Sequence, residues 1–181
     1  VLTLFYYLLM LTKNMKTKSK STGVAAELTS NKIKLRLAVQ YAVNILSHLK
    51  EIPTRFQLRK WFKAGLMQDA EVTIRIVDEV EGRRYNRDFR GKDYATNVLT
   101  FVYEETIPLS GDIVLCAAII EKEANQQHKD LLAHYAHLTV HSALHLQGYL
   151  HESQEDSAIM EQLETKIVTS LGFDNPYQEE Y

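Results

Sequence analysis

The stretch His141-Ser-Ala-Leu-His145-Leu-Gln-Gly148-Tyr-Leu-His151 decides how this chain folds around its site. Residues four apart lie on one face of an α-helix, so His141 and His145 can bind one metal ion together. Gly148 permits the left-handed turn that ends helices, and the returning chain can bring His151 to the same ion. Three imidazole ligands leave a tetrahedral zinc with one open position, which a catalytic zinc requires. We therefore predict one Zn²⁺ ion bound by His141, His145 and His151.

The same ligand spacing occurs in the metzincin proteases, whose motif is H-E-x-x-H-x-x-G-x-x-H. Ser142 stands where those enzymes have the glutamate that serves as general base. A serine hydroxyl cannot replace that base near neutral pH. The motif therefore favours a metal-dependent reaction on another substrate, and a metalloprotease that takes its base from elsewhere is the alternative.

Length and charge limit the function classes open to the chain. It has 181 residues, enough for one domain, and its net charge of −2 provides no general attraction for nucleic acid. A nucleic-acid site would therefore have to come from local clusters of basic residues. Cys116 is the one cysteine, so no intrachain disulfide can form, which fits a reducing compartment.

The beginning of the chain differs in composition from the rest. Residues 1–11 are almost all apolar, but they are too few to span a membrane and lack the basic segment that precedes the apolar core of a signal peptide. Residues 12–23, rich in Lys, Ser and Thr, have the composition of a linker. We expect residues 1–23 to be a disordered or non-native N-terminal extension, such as an upstream start site adds, and residues 24–181 to form the domain. A peripheral membrane anchor is the alternative.

Periodic patterns predict the secondary structure. Alternating apolar residues predict four strands, at 32–41, 71–78, 96–103 and 111–116. Helical patterns follow at 54–66, 79–89, 117–128 and 131–146, with a last helix after the capping box Ser153-x-x-Asp156 and a further helix start in 43–50. These elements predict a single α+β domain, in which about five helices pack on one mixed four-stranded sheet. The helix at 131–146 is apolar except for one stripe, so we expect it to be central, with a zincin-like site facing a cleft.

Two further histidines, His134 and His137, lie on the same helical face as His141 and His145, one and two turns earlier. Only three or four ligands fit around one ion, and the turn at Gly148 favours His151 as the third. We therefore interpret His134 and His137 as hydrogen-bonded cleft residues and not as metal ligands.

A cluster of basic residues lies between positions 83 and 92, where aromatic side chains are interleaved with Arg83, Arg84, Arg87, Arg90 and Lys92. Guanidinium groups bind phosphate in a bidentate manner, and aromatic rings stack on bases. Close to a metal site, such a segment favours a nucleic-acid substrate. A solvated helix face is the alternative, because nearby acidic residues dilute the positive charge.

The histidine motif resembles the signature of the YbeY endoribonucleases, which mature ribosomal RNA. The resemblance covers roughly residues 30–177 and continues, in the same order, through Asn86-Arg-Asp-Phe-Arg90-Gly-Lys-Asp, Thr96-Asn-Val-Leu-Thr-Phe101, Ser110-Gly-Asp-Ile-Val114 and Gly172-Phe-Asp-Asn-Pro-Tyr177. It implies one α+β domain with zinc bound by His141, His145 and His151. It also implies a functional arginine at Arg90. The candidate catalytic residues are therefore Arg90 and His141, and the candidate RNA-binding residues are Arg87, Arg90 and Lys92.

The function that the resemblance implies is a single-strand-specific, metal-dependent endoribonuclease. Such an enzyme would act in maturation of the 3′ end of the small-subunit ribosomal RNA and in ribosome quality control. The implied partners are ribosomal RNA and the small ribosomal subunit, with ribosomal proteins or an assembly GTPase as further candidates. The implied location is the cytoplasm, without stable membrane association. A non-catalytic ribosome assembly factor with a structural zinc is a further alternative, beside the metalloprotease.

Two positions depart from the family pattern. Ser142 stands where the family usually has Gly, and Leu150 stands where it usually has Asp, just before the third histidine. Loss of that carboxylate is expected to weaken the support of His151 or to remove a proton acceptor. The sequence identifies no general base, so attack by water and attack by the ribose 2′-hydroxyl both remain open.

Overall fold

Four strands form one mixed sheet in the computed structural model, which describes residues 32–43, 45, 52–104 and 107–178. The strands are β1 Leu35–Tyr41, β2 Ala70–Val77, β3 Val98–Glu104 and β4 Leu109–Cys116. Their order is β1-β2-β4-β3, with β2 parallel to both β1 and β4 and with β3 antiparallel to β4. The predicted mixed four-stranded sheet is confirmed, and β3 lies at one edge of it.

Within the described residues five helices accompany the sheet, as predicted: α1 Arg55–Ala64, α2 Glu79–Arg90, α3 Ala117–Gln126, α4 Leu131–Leu146 and α5 Gln154–Ser170. The bounds of α4 are those that the periodicity predicts. The helix start predicted in 43–50 falls largely outside the described residues, and the predicted extension 1–23 falls wholly outside them. None of the described helices has the length and apolar character needed to cross a membrane.

Side-chain caps fix where several helices begin. Thr54 forms a reciprocal capping box with Gln57 at the start of α1. At the start of α5, the hydroxyl of Ser153 accepts a hydrogen bond from the backbone N–H of Asp156, 3.0 Å away. These bonds satisfy N–H groups that have no partner inside the helix, so the helices begin at defined residues.

The two faces of the sheet carry different helices, because successive side chains of a strand point to opposite faces. Ile74 and Ile76 of β2 are fully buried in the main core, which α1 and α4 also enter. The next residue, Val77, points the other way and joins Cys116 in a smaller cluster on the side of α2. A Cβ added to Gly82 of α2 would lie 3.0 Å from the sulfur of Cys116. Helix α2 and helix α4 therefore pack on opposite faces of the sheet.

Helix α4 is the central helix, and ten of its 16 residues are buried. On its other side it packs against α5, where Val140 and Leu144 meet Met160 and Val168. Apolar residues recur at helical spacing along α5, at Met160, Leu163, Ile167 and Leu171. The last three are only partly buried, and the deepest positions of the helix are Met160, Glu164 and Val168. An acidic side chain is thus part of the interface between α5 and α4.

Candidate metal centre and cleft

Three histidines converge at the C-terminal end of α4. One ring nitrogen from each of His141, His145 and His151 lies within 4.8 Å of the other two. The ring centroids are 4.3 Å apart for His141 and His145, and 5.1 Å apart for each of the two pairs that include His151. Three nitrogens at this spacing can surround one metal ion and leave a further coordination position for water or substrate.

The chain reaches His151 through a left-handed turn at Gly148, whose φ is +88°. The N–H of Gly148 donates to the carbonyl of His145 at 3.0 Å, and the N–H of Tyr149 donates to the carbonyl of Leu144 at 3.2 Å. This pair of bonds is a Schellman motif, which ends a helix and reverses the direction of the chain. The predicted helix-ending role of Gly148 is confirmed.

Gln147 attaches this turn to the rest of the fold. Its side-chain amide donates to the carbonyl of Gly65 at 2.7 Å, and its side-chain oxygen accepts from the N–H of Met67 at 2.7 Å. Both partners belong to the connection between α1 and β2. The segment that carries His151 is therefore held at its base by two hydrogen bonds to a distant part of the chain.

Hydrogen bonds also orient the two helical histidines. Nδ1 of His141 donates to Glu164 Oε1 at 2.8 Å, and Nδ1 of His145 donates to the carbonyl of Tyr149 at 2.7 Å. A neutral imidazole carries one proton, so both bonds leave Nε2 with a lone pair for a metal. Burial lowers the pKa of His145 to about 4, and the neighbouring His141 is the second cause of this shift. The ring of His145 is therefore neutral near pH 7.

Glu164 is the residue that sequence reasoning missed. Its side chain is fully buried, and besides His141 it accepts hydrogen bonds from Nε2 of His137 at 2.7 Å and from the hydroxyl of Tyr177. Burial alone would raise the pKa of this carboxyl, but the hydrogen bonds from the histidines outweigh it and lower the pKa of Glu164. The sequence does carry a signal, because Glu164 lies four residues from Met160 and four from Val168, on the buried face of α5.

A second carboxylate holds the first histidine of the stripe. Glu123 Oε2 accepts from Nε2 of His134 at 2.9 Å and from the side-chain amide of Asn97 at 3.0 Å. Burial raises the pKa of Glu123, but the bonds from His134 and Asn97 outweigh that effect, and the net pKa is lowered. His134 and His137 thus each donate to a carboxylate, as expected for hydrogen-bonded cleft residues, and neither belongs to the group of three.

An open cleft of about 400 Å³ extends from the histidines along α4. Its walls come from α3, α4, α5, the start of β3 and the segment that follows α5. His141 and His151 line one end, and Asn97, Lys129 and Tyr177 line the remainder. Ser142 does not line the cleft. It is buried, and its hydroxyl donates to the carbonyl of Leu138 at 2.8 Å.

Comparison with known proteins places these features in a family. The family model described as Endoribonuclease YbeY matches residues 27–172. The chain belongs to the YbeY endoribonuclease family. A relative named Endoribonuclease YbeY in Nitrosospira multiformis is 52% identical over 180 residues, covering 90% of this chain and 94% of the relative. A relative of the same name in Nitrosomonas europaea is 59% identical over 143 residues, covering 79% of this chain and 85% of the relative.

A solved structure also resembles this YbeY-family chain. It is the solution structure of a Thermotoga maritima protein, with 24% sequence identity and a TM-score of 0.46, and the match covers 78% of this chain and 99% of that one.

The basic residues predicted to bind RNA do not line the cleft. Arg87, Arg90 and Lys92 are exposed at or just beyond the C-terminal end of α2, on the sheet face opposite to α4. Arg87 lies 3.1 Å from Asp88. Among the described residues, Arg90 and Lys92 have no side-chain ion pair. Within the described part of the chain no contact joins these three side chains to the histidines, so their roles in the YbeY-family reaction stay predictions.

Leu150 leaves the third histidine with less support than the other two. Within the described part of the chain, no hydrogen bond reaches the His151 ring, whereas His141 and His145 each have one. Leu150 itself is 43% exposed and contributes no polar atom from its side chain. This departure from the YbeY pattern therefore lies at the least constrained ligand position.

Proposed function

We propose that this protein is a zinc-dependent endoribonuclease that cleaves single-stranded RNA at the His141–His145–His151 centre. The observation that carries the proposal is the convergence of three ring nitrogens within 4.8 Å in a chain of the YbeY endoribonuclease family. The relatives that share half or more of their residues with it carry the name of that activity. Imidazole sites accept several transition metals, so zinc is the proposed ion on the basis of ligand type and number.

The residues around the centre have distinct tasks in this proposal. When bound, zinc supplies Lewis acidity that polarises a phosphate and makes water a better nucleophile near neutral pH. Glu164 and the Tyr149 carbonyl hold His141 and His145 through Nδ1, so that Nε2 of each ring would be available to hold the ion. The cleft beside the histidines admits a flexible strand, and its wall is formed by hydrogen-bonded side chains.

Arg90 is proposed to bind the RNA backbone and, as the family resemblance implies, to stabilise negative charge that develops on the phosphoryl oxygens. Because Arg90 lies outside the cleft in this structure, the second role requires Arg90 to approach the histidine centre when RNA is bound. Its exposure supports a role in contacting a large substrate. Arg87 and Lys92 are proposed to bind flanking phosphates. The Arg90→Ala variant should lose RNA cleavage by about 100-fold while its zinc affinity stays unchanged. The matched control is Arg83→Ala, because Arg83 is engaged in a bidentate pair with Asp93. Equal losses in both variants would contradict a specific role for Arg90.

The proposed physiological substrate is the 3′ end of the small-subunit ribosomal RNA. This places the protein in the cytoplasm, in contact with ribosomal RNA and the small subunit, during maturation and quality control of ribosomes. Ribosomal proteins or an assembly GTPase are the proposed additional partners, and no stable membrane association is proposed. Family membership supports this assignment.

The two alternative functions are not favoured. A metalloprotease of the metzincin type needs a base beside the first ligand, and the hydroxyl of Ser142 is instead bonded to the helix backbone. A purely structural zinc is normally enclosed by four protein ligands, whereas three are grouped among the described residues.

A paired assay tests the function. Wild-type protein and His145→Ala are purified in parallel, their zinc content is measured, and both are incubated with a single-stranded RNA that carries the 3′ end of small-subunit ribosomal RNA. We expect the variant to lose more than about 100-fold of the cleavage rate, above the loss typical of outer hydrogen-bond partners. Equal degradation by both proteins would identify a contaminating nuclease. Duplex RNA and an unfolded protein serve as control substrates.

Analysis of the new RNA ends separates two chemical routes. Attack by the ribose 2′-hydroxyl leaves a 2′,3′-cyclic phosphate, whereas attack by water does not. A cyclic phosphate among the products would therefore rule out direct hydrolysis.

A further inference from the structure

Lys129 stands out among the residues that line the cleft. It is the one lysine or arginine in the described lining, whereas Glu123 and Glu161 bring negative charge to the same walls. An RNA that enters the cleft brings negative phosphates past these acids. Lys129 is therefore the position in the lining at which a phosphate gains a favourable charge interaction.

The ammonium group of Lys129 is held in place. Its Nζ donates to the carbonyl of Pro176 at 2.6 Å, in the segment that follows α5. An ammonium group has three N–H donors, and this bond uses one of them. The next residue, Tyr177, is itself bound to the buried carboxylate of Glu164. The position of the lysine head is thus set by a segment that is fixed to the metal centre.

Lys129 and the histidines lie at different places along the cleft. Lys129 directly precedes Asp130, the N-cap of α4, and His141 lies ten residues beyond Leu131. At 1.5 Å per residue, Leu131 and His141 are about 15 Å apart along the helix axis. An RNA strand of a few nucleotides can extend along the cleft from the histidines to Lys129.

We propose that Lys129 binds a non-scissile backbone phosphate of the RNA strand whose scissile phosphate lies at the histidine centre. This inference rests on the proposed endoribonuclease function. It predicts that the bound RNA strand runs along the cleft between the metal end and the Lys129 end. Lys129 acts here as a positioning residue, because it holds the strand and does not touch the reacting atoms. The competing explanation is that Lys129 serves only to attach Pro176.

Salt dependence distinguishes these two roles. Each phosphate neutralised by a protein cation contributes about 0.7 to the slope of log affinity against log salt for a single strand. A purely structural lysine contributes nothing to that slope. We therefore measure binding of a fluorescent single-stranded RNA by anisotropy over a range of salt concentrations, in the His145→Ala background, where the RNA stays intact. Lys129→Ala and Lys129→Arg are compared with Lys166→Ala, which removes an exposed charge on α5 outside the cleft.

The expected result is that Lys129→Ala weakens RNA binding by about tenfold at low salt, the effect of losing one charged hydrogen bond. The slope of log affinity against log salt should fall by about 0.7. Lys129→Arg should keep most of the wild-type binding affinity and most of the wild-type slope. Lys166→Ala should leave the slope unchanged. An unchanged slope in Lys129→Ala, whatever its stability, would overturn the proposal.

Cleavage by the zinc-loaded protein provides an independent readout. In the otherwise wild-type enzyme, Lys129→Ala should raise the half-saturating RNA concentration and leave the maximal single-turnover rate within about twofold. If the wild-type enzyme cleaves no RNA, the proposed function fails, and the anisotropy data still decide whether Lys129 binds phosphate. If the wild-type enzyme cleaves RNA and Lys129→Ala matches it in both binding and cleavage, the inference about Lys129 fails while the proposed function stands.

Discussion

The buried carboxylate of Glu164 accepts a hydrogen bond from Nδ1 of His141 at 2.8 Å, across the interface between α5 and α4. The same carboxylate also accepts from His137 and Tyr177, so three elements of the fold meet at one charged group. A carboxylate that holds a ligand histidine fixes its tautomer and makes it a stronger metal ligand. Glu164 therefore connects the packing of α5 to the proposed chemistry.

Replacement of Glu164 should weaken metal binding. In Glu164→Gln the side-chain shape is kept but the charge is lost, and we expect zinc affinity to fall by about 10- to 100-fold. Stability of the metal-free protein should fall by about 1–3 kcal/mol, because one carboxylate oxygen becomes an NH2 donor and at least one buried donor then loses its acceptor. Zinc affinity is measured by competition with a chromophoric chelator. Glu161→Gln is the control, since Glu161 lines the same cleft but is exposed. Equal zinc affinity in both variants would contradict the role of Glu164.

Replacement of Gly148 should move His151 away from the centre. An alanine Cβ at position 148 meets no atom within 4 Å, so the cost comes from the left-handed backbone, about 1–2 kcal/mol. If the turn relaxes to avoid this cost, His151 is displaced and zinc affinity should fall by about tenfold or more.

Gly91 provides a matched control for this experiment. It too has a positive φ, +68°, with open space around an added Cβ, but it ends α2 and positions no metal ligand. Gly91→Ala should lose a similar amount of stability in thermal unfolding and keep its zinc affinity. A loss of zinc affinity of the same size in both variants would show that general destabilisation, and not His151, is responsible.

A carboxylate at position 150 should strengthen the centre. Leu150 is 43% exposed, so the Leu150→Asp substitution removes little buried apolar contact. The new carboxylate can accept from the His151 ring, which has no hydrogen bond within the described residues. We expect zinc affinity to rise by about tenfold, measured by chelator competition. Leu150→Asn, whose side chain has the shape of Asp without its charge, should raise zinc affinity less. If neither variant binds zinc more tightly than the wild type, His151 needs no such support.

The Glu123–His134 pair should make stability depend on pH. The pKa of Glu123 is lowered in the folded protein from its ordinary value of 4.5, so the unfolded chain binds more protons in the window below 4.5. The contribution of Glu123 is thus fully present above pH 4.5 and is lost as the pH falls through the folded-state pKa. Urea unfolding of metal-free wild type and Glu123→Gln should show a stability difference at pH 7 that narrows below pH 4.5. A difference that is constant with pH would contradict this linkage.

Local patterns predicted much of the fold. The ends of the four strands differ from the predicted ends by at most three residues, because alternation of apolar side chains reports directly on a half-buried sheet. The turn at Gly148 was equally readable, since few residues other than glycine adopt a positive φ.

Two features of the site depend on packing that local sequence patterns do not determine by themselves. Charged residues are normally exposed, so the burial of Glu164 depends on the partners that α4 and the C-terminal segment bring to it. The position of Arg90 depends on which sheet face α2 covers, which neighbouring residues in the sequence do not determine. Both are consequences of contacts between elements that are distant along the chain.

The edge position of β3 has a mechanical consequence for the substrate. Phe89, beside Arg90, contacts Phe101 on one face of this strand, and Val98 on the other face lines the cleft. An RNA that reaches from the α2 cations to the histidines across this edge would therefore curve around a single strand of protein. A double helix resists such curvature, as the persistence length of about 50 nm for DNA illustrates, whereas an unpaired strand bends freely. The sheet edge would then select its substrate by backbone stiffness, before any base is recognised.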